Sequence, residues 1–469
     1  MARPSEEASF GDQPQSILRG ARSIEATMSP QKSFSARVIV IGAGVFGLST
    51  AFAIAKRYPA TSVTVIDRLT PPVPDGTSVD TTRCIRSDYT DPVYARLAKL
   101  AQEKIQEDPD LSCHMYQQGM TFVCDGEPSR FTDIYQITLD RAKSLCRSED
   151  IIEMSTREEV YQRIHGKMSQ PPSDGVLGSR PRWNKAYCNL EAAFIDAKEG
   201  IQVYYDRCRK LPSISFRCGS AVDHINITNS QCKGVTLDNQ TTLSADMVIV
   251  AAGAWSNKLV YLGGRQVPVG HEVAWIKVTP EEEARWKNMS ITTNLSTGLN
   301  MFPPYQGEIK ILRRSPGYKN TVMVPHPEDR SRYIQICFPR TMVSNPTDVI
   351  PKDAEAAMRE NLREIMPALA NRHFDRTKIC WISTTPTADF LIAPHPSVDG
   401  IHLATGGSAH AWKFLPLIGD YVVDSIEGTL PQELAEKWAF HKVSTGKDQS
   451  SPRMDGEPQE LSGVVRHHL

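Results

Sequence analysis

The sequence predicts an α/β fold: a nucleotide-binding βαβ unit opens the ordered chain, and a second, α+β domain is interleaved through later segments. Three observations carry this expectation. A β-branched run passes through a glycine-rich turn into a small-residue helix; a second β-branched run ends on an acid; two late apolar runs each break into glycine and small residues. The 469 residues provide for about two to three domains and for a ligand enclosed between layers. With 53 Lys+Arg against 54 Asp+Glu the net charge is -1, so no global field exists to collect nucleic acid or an anionic membrane. Any charge that matters here is local.

Residues 1–35 hold Pro, Ser, Gln and Glu without periodicity and are expected to form a disordered extension, with Met28 a natural alternative start. Glu6, Glu7, Asp12 and Glu25 argue against an acid-poor organellar leader. Order begins with the strand Arg37-Val-Ile-Val-Ile41, followed by Gly42-Ala-Gly44-Val45-Phe46-Gly47 and a helix over Leu48 to Lys56. Each glycine has a mechanical reason: a tight turn, close backbone approach to a pyrophosphate, and close packing of helix on strand. The helix N-terminus then offers its free N–H groups to the phosphates. A second strand, Ser62 to Ile66, ends on Asp67, 25 residues after Gly42, and is followed by Arg68. An acid there accepts from ribose hydroxyls and disfavours a 2′-phosphate, so FAD or NAD is expected and NADP is not.

Later segments separate FAD from NAD. Cys218 to Thr228, which contains Val222, then Lys233 to Asp238 and Thr242 to Asp246 alternate like meander strands; Met247 to Val250 runs into Gly253-Ala-Trp255-Ser256. Such a late strand returning to the nucleotide sheet marks a glutathione-reductase-like FAD-binding Rossmann domain. Gly400 to Thr405 repeats the pattern into Gly406-Gly407-Ser408, and Pro416 to Ile426 suits a closing helix. The FAD-binding domain is therefore expected over 36–110, 184–260 and 375–446. The segments 111–183 and 261–374, with helices at Pro280 to Lys287 and Ala354 to Ile365, form the discontinuously inserted α+β substrate domain that covers the flavin. Residues 447–469 read as a polar tail.

Ten cysteines are spread singly with no CxxC, which indicates a reducing compartment. The sequons at Asn226, Asn239, Asn288 and Asn294 lack an apolar leader before them and are expected to stay unused. No apolar run approaches the ~18 residues of a membrane span. No metal-spaced His/Cys cluster is visible, so no metal is expected.

Taken together, Gly42 to Gly47, Thr82-Arg83-Cys-Ile-Arg86-Ser-Asp-Tyr89, Ala252 to Ser256, Gly307-Glu-Ile-Lys310-Ile, Lys378-Ile-Cys380-Trp and Gly406 to Pro416 carry a family resemblance. Over most of residues 36–430 the sequence resembles the monomeric sarcosine oxidase and fructosyl amino acid oxidase (amadoriase) family, including its saccharopine and pipecolate oxidase-like members. The resemblance implies an FAD-dependent amine oxidase in which a cysteine thioether holds the flavin 8α carbon. A C–N bond of a secondary amine or amino acid becomes an imine and O2 becomes hydrogen peroxide. An electron sink, a substrate clamp and a fixed positive charge for oxygen are what that chemistry needs.

By the same resemblance Cys380 is the flavinylation residue, although Thr385-Pro386-Thr387 departs from the family's Thr-Pro-Asp; the bland alternative is a buried free cysteine. Lys310 matches the oxygen-activating lysine, against the alternative of an exposed strand-end lysine. Lys413 matches the lysine at the flavin's pyrimidine edge, where it also meets a substrate carboxylate. Thr82, Arg83 and Arg86 occupy positions near the flavin face; one arginine clamps a carboxylate, or both are surface ion pairs. His410 either tunes the ring or satisfies a backbone carbonyl. Gly407, Ser408 and Ala409 flank the cofactor.

Ala409, Ala411, Trp412, Ile382 and Arg314 depart from the family pattern, which argues for a bulkier, specialised amine of secondary metabolism over sarcosine or a fructosyl amine. Fructosyl amino acid, saccharopine or pipecolate oxidation is the alternative, and a flavin dehydrogenase with a non-oxygen acceptor a further one. The expected partners are a small-molecule amine and O2, with no nucleic acid and no membrane, for a monomer in the cytoplasm. His467-His468-Leu469 keeps the final Leu of a peroxisomal tripeptide, which makes the peroxisome the second location.

Overall fold

The structure is a computed structural model that describes residues 34–125, 129–166, 183, 185–442, 454 and 456–467. The extension expected over 1–35 thus falls almost wholly outside the described residues, as do His468 and Leu469. From Ser35 onward the chain folds as one compact unit.

The strand β1 (Arg37–Ile41) is the centre of a six-stranded sheet. It pairs in parallel with β2 (Ser62–Asp67) on one side and with Met247–Val250 on the other. Ile214–Cys218 extends the sheet in parallel beyond β2, and Ile401–Thr405 extends it beyond Met247–Val250, with Leu391–Pro394 as an antiparallel edge. Strands covered on both faces read as unbroken apolar runs, which is why these segments were visible as β-branched stretches. The crossover helix α1 (Val45–Arg57) packs on the closing helix Leu415–Glu427. Gly419 makes that contact possible: a Cβ there would lie 2.1 Å from the Ser49 carbonyl oxygen. Ser49 Oγ in turn donates to Leu415 O at 2.7 Å and accepts from Gly419 N at 2.8 Å.

The second sheet is built on Val267–Lys277, nine of whose eleven residues are buried. It pairs antiparallel with Glu308–Arg313 on one side and Arg376–Thr384 on the other. The sheet continues through Leu299–Met301, Ile291–Asn294, Met120–Cys124, Lys185–Asn189 and Ile151–Met154. Side chains alternate across it. Ala274, Ile276, Ile309, Ile311 and Trp381 join the apolar core with Ala354, Met358 and Leu362 of the helix Lys352–Ile365, whereas His271, Val273, Lys310, Leu312, Cys380 and Ile382 face a cavity.

Two expected boundaries move. Lys185–Asn189 and Arg376–Thr384 both belong to this second sheet, so the nucleotide portion resumes after them, not at 184 and 375. Period-2 alternation identifies a strand but not the sheet that takes it. The tail expected from 447 also packs: Gln459–Glu460 pairs with Tyr318–Lys319, Arg466–His467 pairs with Asp348–Val349, and Leu461 is fully buried. A single apolar anchor is easily lost in a polar segment. No helix among the described residues is long and apolar enough to cross a membrane.

Candidate active site between the glycine turn and the second sheet

The glycine turn is forced by its surroundings. Gly42 has φ +104°, and a Cβ on Gly47 would stand 1.8 Å from the Gly42 carbonyl oxygen, so α1 starts hard against the end of β1. Gly44 caps α1 with no side chain of its own, and Ser78 Oγ accepts from Val45 N at 3.0 Å. The groove in front of this helix terminus is bordered by Gly42, Gly44, Asp67, Arg68, Val222 and Trp255. The Asp67 carboxylate accepts from Ala43 N at 2.8 Å and Leu69 N at 3.2 Å, and burial raises its pKa above the ordinary value. Arg68 pairs with Asp75 and lies 4.3 Å over the Trp255 ring. Gly253, Thr77 and Ser78 border this groove and also a second cavity, so the two spaces adjoin along them.

That second cavity gathers most of the remaining sequence-predicted residues, Thr82 not being among its lining. Val45, Phe46, Gly407, Ser408 and Ala409 reach it from the nucleotide side, Lys310 and Cys380 from the second sheet. Ser408 (φ +45°) and Ala409 (φ +65°) are both left-handed, a conformation that glycine adopts at less cost. Trp412 reaches beyond the cavity as well: a Cβ on Gly200 would meet its ring at 2.7 Å, and its Nε1 donates to Ser78 O at 3.0 Å. Its bulk ties the Ser78 loop to the helix Ala197–Arg209 while bordering the cavity.

Lys310 is no exposed strand-end lysine; it is 1% exposed. Its ammonium donates to Thr82 O at 2.6 Å and pairs with Asp80 at 3.0 Å. Burial pushes it down to about 8 although Asp80 pulls the other way. Asp80 is buried as well, yet Lys310, Lys378 and Arg83 together hold its carboxyl well below the usual range. Arg83 pairs with Asp80 and donates to Thr77 O at 2.8 Å. Thus the Arg83 charge is answered within the protein, by a buried partner and not a surface one. Asp80→Asn leaves two buried cations sharing no carboxylate, and is expected to lower stability by about 3–5 kcal/mol in urea unfolding.

Arg86 lies over the rings of Tyr89 at 4.9 Å and Phe122 at 5.4 Å and bonds to Asp88 O. Lys413 Nζ donates to Tyr89 Oη at 2.8 Å and to His410 O at 3.2 Å. Burial first, then Arg86, push this ammonium well below its ordinary value. His410 bonds through Nε2 to Ala388 O at 2.8 Å and through Nδ1 to Tyr89 Oη at 3.2 Å. Burial and Lys413 lower it to about 3, so it is neutral, with Nε2–H donating to the carbonyl. Arg314 also borders the cavity.

Asp80, Tyr89 and His271 are the residues that sequence reasoning gave no part. Tyr89 stood inside a quoted motif. His271 is conspicuous as an imidazole in a continuous buried strand, and Asp80 offered only its place three residues before Arg83.

Comparison with known proteins gives a consistent result. Residues 37–425 match the family described as FAD dependent oxidoreductase, DAO. The chain is 30% identical over 420 residues to L-saccharopine oxidase of Schizosaccharomyces pombe, covering 87% of this chain and 94% of that protein. It is 24% identical to monomeric sarcosine oxidase of Bacillus sp. (strain B-0618), covering 82% and 90%. A crystal structure of a thermally stable mutant of fructosyl peptide oxidase superposes with a TM-score of 0.81 at 24% identity, covering 92% of this chain and 99% of that one.

Proposed function

The chain belongs to the DAO family of FAD dependent oxidoreductases, and from that premise we propose that it oxidises the C–N bond of a carboxylate-bearing secondary amine or amino acid, with O2 as acceptor. The observation that carries the reading is convergence: a buried lysine, a buried cysteine and a lysine–arginine pair face one cavity that adjoins the groove before the N-terminus of α1. The residues fit FAD. A Cβ at Gly42 would meet Ala251 O at 2.5 Å and one at Gly44 would meet Ser78 Oγ at 2.7 Å, so the backbone itself lines the groove where a pyrophosphate would lie. Asp67 stands where a ribose would be met.

FAD, when bound, supplies the two-electron sink between the amine and oxygen. The chain's own residues do the rest. Cys380 holds the flavin covalently. Lys310, kept in place by Asp80 and Thr82 O, presents a fixed positive charge in a dry site, where it acts at short range. Arg86 and Lys413 hold the substrate carboxylate, and Phe302, Leu312 and Ile382 give the cavity its apolar wall. Saccharopine and sarcosine, named in the relatives, are both secondary amines carrying carboxylate, which supports this substrate class.

A panel of amines assayed for peroxide release tests the reaction. The covalent link is tested separately. Acid precipitation of the wild-type chain is expected to carry the yellow colour into the pellet, with a flavopeptide containing Cys380; Cys380→Ala is expected to leave all flavin in the supernatant. Flavin wholly in the supernatant of the wild type would overturn the linkage.

A further inference from the structure

His271 has no part in the oxidation just proposed, yet it occupies the position closest in register to the attachment residue. In the antiparallel pairing of Val267–Lys277 with Arg376–Thr384 it stands directly opposite Cys380. Residues so placed share a face, with Cβ atoms about 4.5–5.5 Å apart. The alternation fixes which face: His271 and Cys380 both border the cavity, flanked by Val273 and Ile382. His271 is 3% exposed, and a Cβ on Gly317 would stand 3.0 Å from its Cε1, so its ring packs against the backbone at that glycine.

Joining a cysteine to a flavin methyl needs a thiolate and therefore a proton acceptor beside the sulfur. The other basic groups nearby are cations held by acceptors of their own. Arg83 remains protonated and is paired with Asp80; Lys310 is held by Asp80 and Thr82 O; Lys378 is directed to Val79 O at 3.5 Å. They favour a negative sulfur by their charge, whereas an imidazole is the group suited to take the proton at neutral pH.

We propose that His271 accepts the Cys380 thiol proton during flavin attachment, a role that rests on the Cys380 linkage proposed above. In this step the thiol S–H bond gives its proton to the imidazole, a C–H bond of the 8α methyl gives its proton to solvent, and the sulfur's electron pair forms the S–C bond. The electron pair of that C–H bond stays on the flavin, which ends two-electron reduced. O2, the acceptor of the proposed reaction, then removes the pair with two protons as H2O2.

The test uses the full chain produced under riboflavin starvation and then given FAD. Acid-insoluble flavin and the gain in chain mass are followed over time, and flavin retained on gel filtration reports non-covalent binding. Wild type is expected to attach FAD; His271→Gln is expected to retain it on the column but attach it at least ~100-fold more slowly, with added imidazole restoring part of the rate. Attachment at the wild-type rate by His271→Gln would overturn the inference. So would loss of column-retained FAD in both His271→Gln and His271→Asn, which would make the residue structural. If wild type itself attaches none, the failure lies with the Cys380 linkage, and the inference falls with it.

Discussion

Lys310→Met is expected to slow oxygen consumption by about 10²–10³-fold, while anaerobic bleaching of the yellow protein by substrate changes by less than about tenfold. The ammonium has two fixed partners, Thr82 O and Asp80, so its charge needs no reorganisation when negative charge develops on oxygen. In a buried site such a charge acts through little screening. Because the proposed role of the lysine lies in the oxygen step alone, its loss should act on one half-reaction. Stopped-flow mixing with substrate and, separately, with O2 distinguishes the two; an equal fall in both would make Lys310 structural. The pH dependence gives a second check. Lys310 is held near 8 by burial, against the pull of Asp80, so it is charged below that pH and neutral above. The oxygen step should therefore weaken as pH rises through about 8. Bleaching should do the reverse, because the amine must lose its proton to free the lone pair. Lys310→Met should erase the first slope and leave the second.

What the sequence made legible follows from how local each signal is. The turn from β1 through Gly42, Gly44 and Gly47 into α1 is dictated by residues within one supersecondary unit, and it stands where the spacing places it. Lys310, Arg83, Arg86, Cys380 and Lys413 were legible as motif positions, but their partners were not. Asp80 answers both Arg83 and Lys310, the latter 230 residues away, and no local pattern links them. For the same reason the arginine left to clamp a carboxylate is Arg86, since Arg83 already has Asp80. His410 could be read either as tuning the ring or as satisfying a carbonyl; its bond to Ala388 O depends on a loop 22 residues earlier. Strand membership failed similarly, with Arg376–Thr384 identifiable as a strand but claimed by Val267–Lys277 instead of the nucleotide sheet.

The substrate's carboxylate is expected to be worth about 2–5 kcal/mol in kcat/KM, which is about 30- to several thousand-fold over the same amine lacking it. With Arg83 answered by Asp80 and Arg313 by Glu272, the cations proposed to hold an anion are Arg86 and Lys413, with Arg314 also at the cavity's border. Lys413 has no acid within ion-pair distance among the described residues; its hydrogen bonds run to Tyr89 Oη and His410 O. Burial, with Arg86 adding to it, disfavours the ammonium. An arriving carboxylate reverses that balance, so binding should draw a proton onto Lys413 and weaken as pH rises. Arg86 is pre-oriented by Asp88 O and the faces of Tyr89 and Phe122, which suits a planar, bidentate contact that lysine cannot reproduce. Arg86→Lys should therefore raise KM for the carboxylate-bearing amine by at least tenfold while changing its decarboxylated partner little, so the ratio between the two substrates collapses. The amine panel also tests the shape of the pocket: against the apolar wall of Phe302, Leu312 and Ile382, a bulky or cyclic secondary amine should exceed sarcosine in kcat/KM. Equal turnover of the acid and its decarboxylated partner by the wild type would remove the clamp, and efficient oxidation of sarcosine would remove the reshaped pocket.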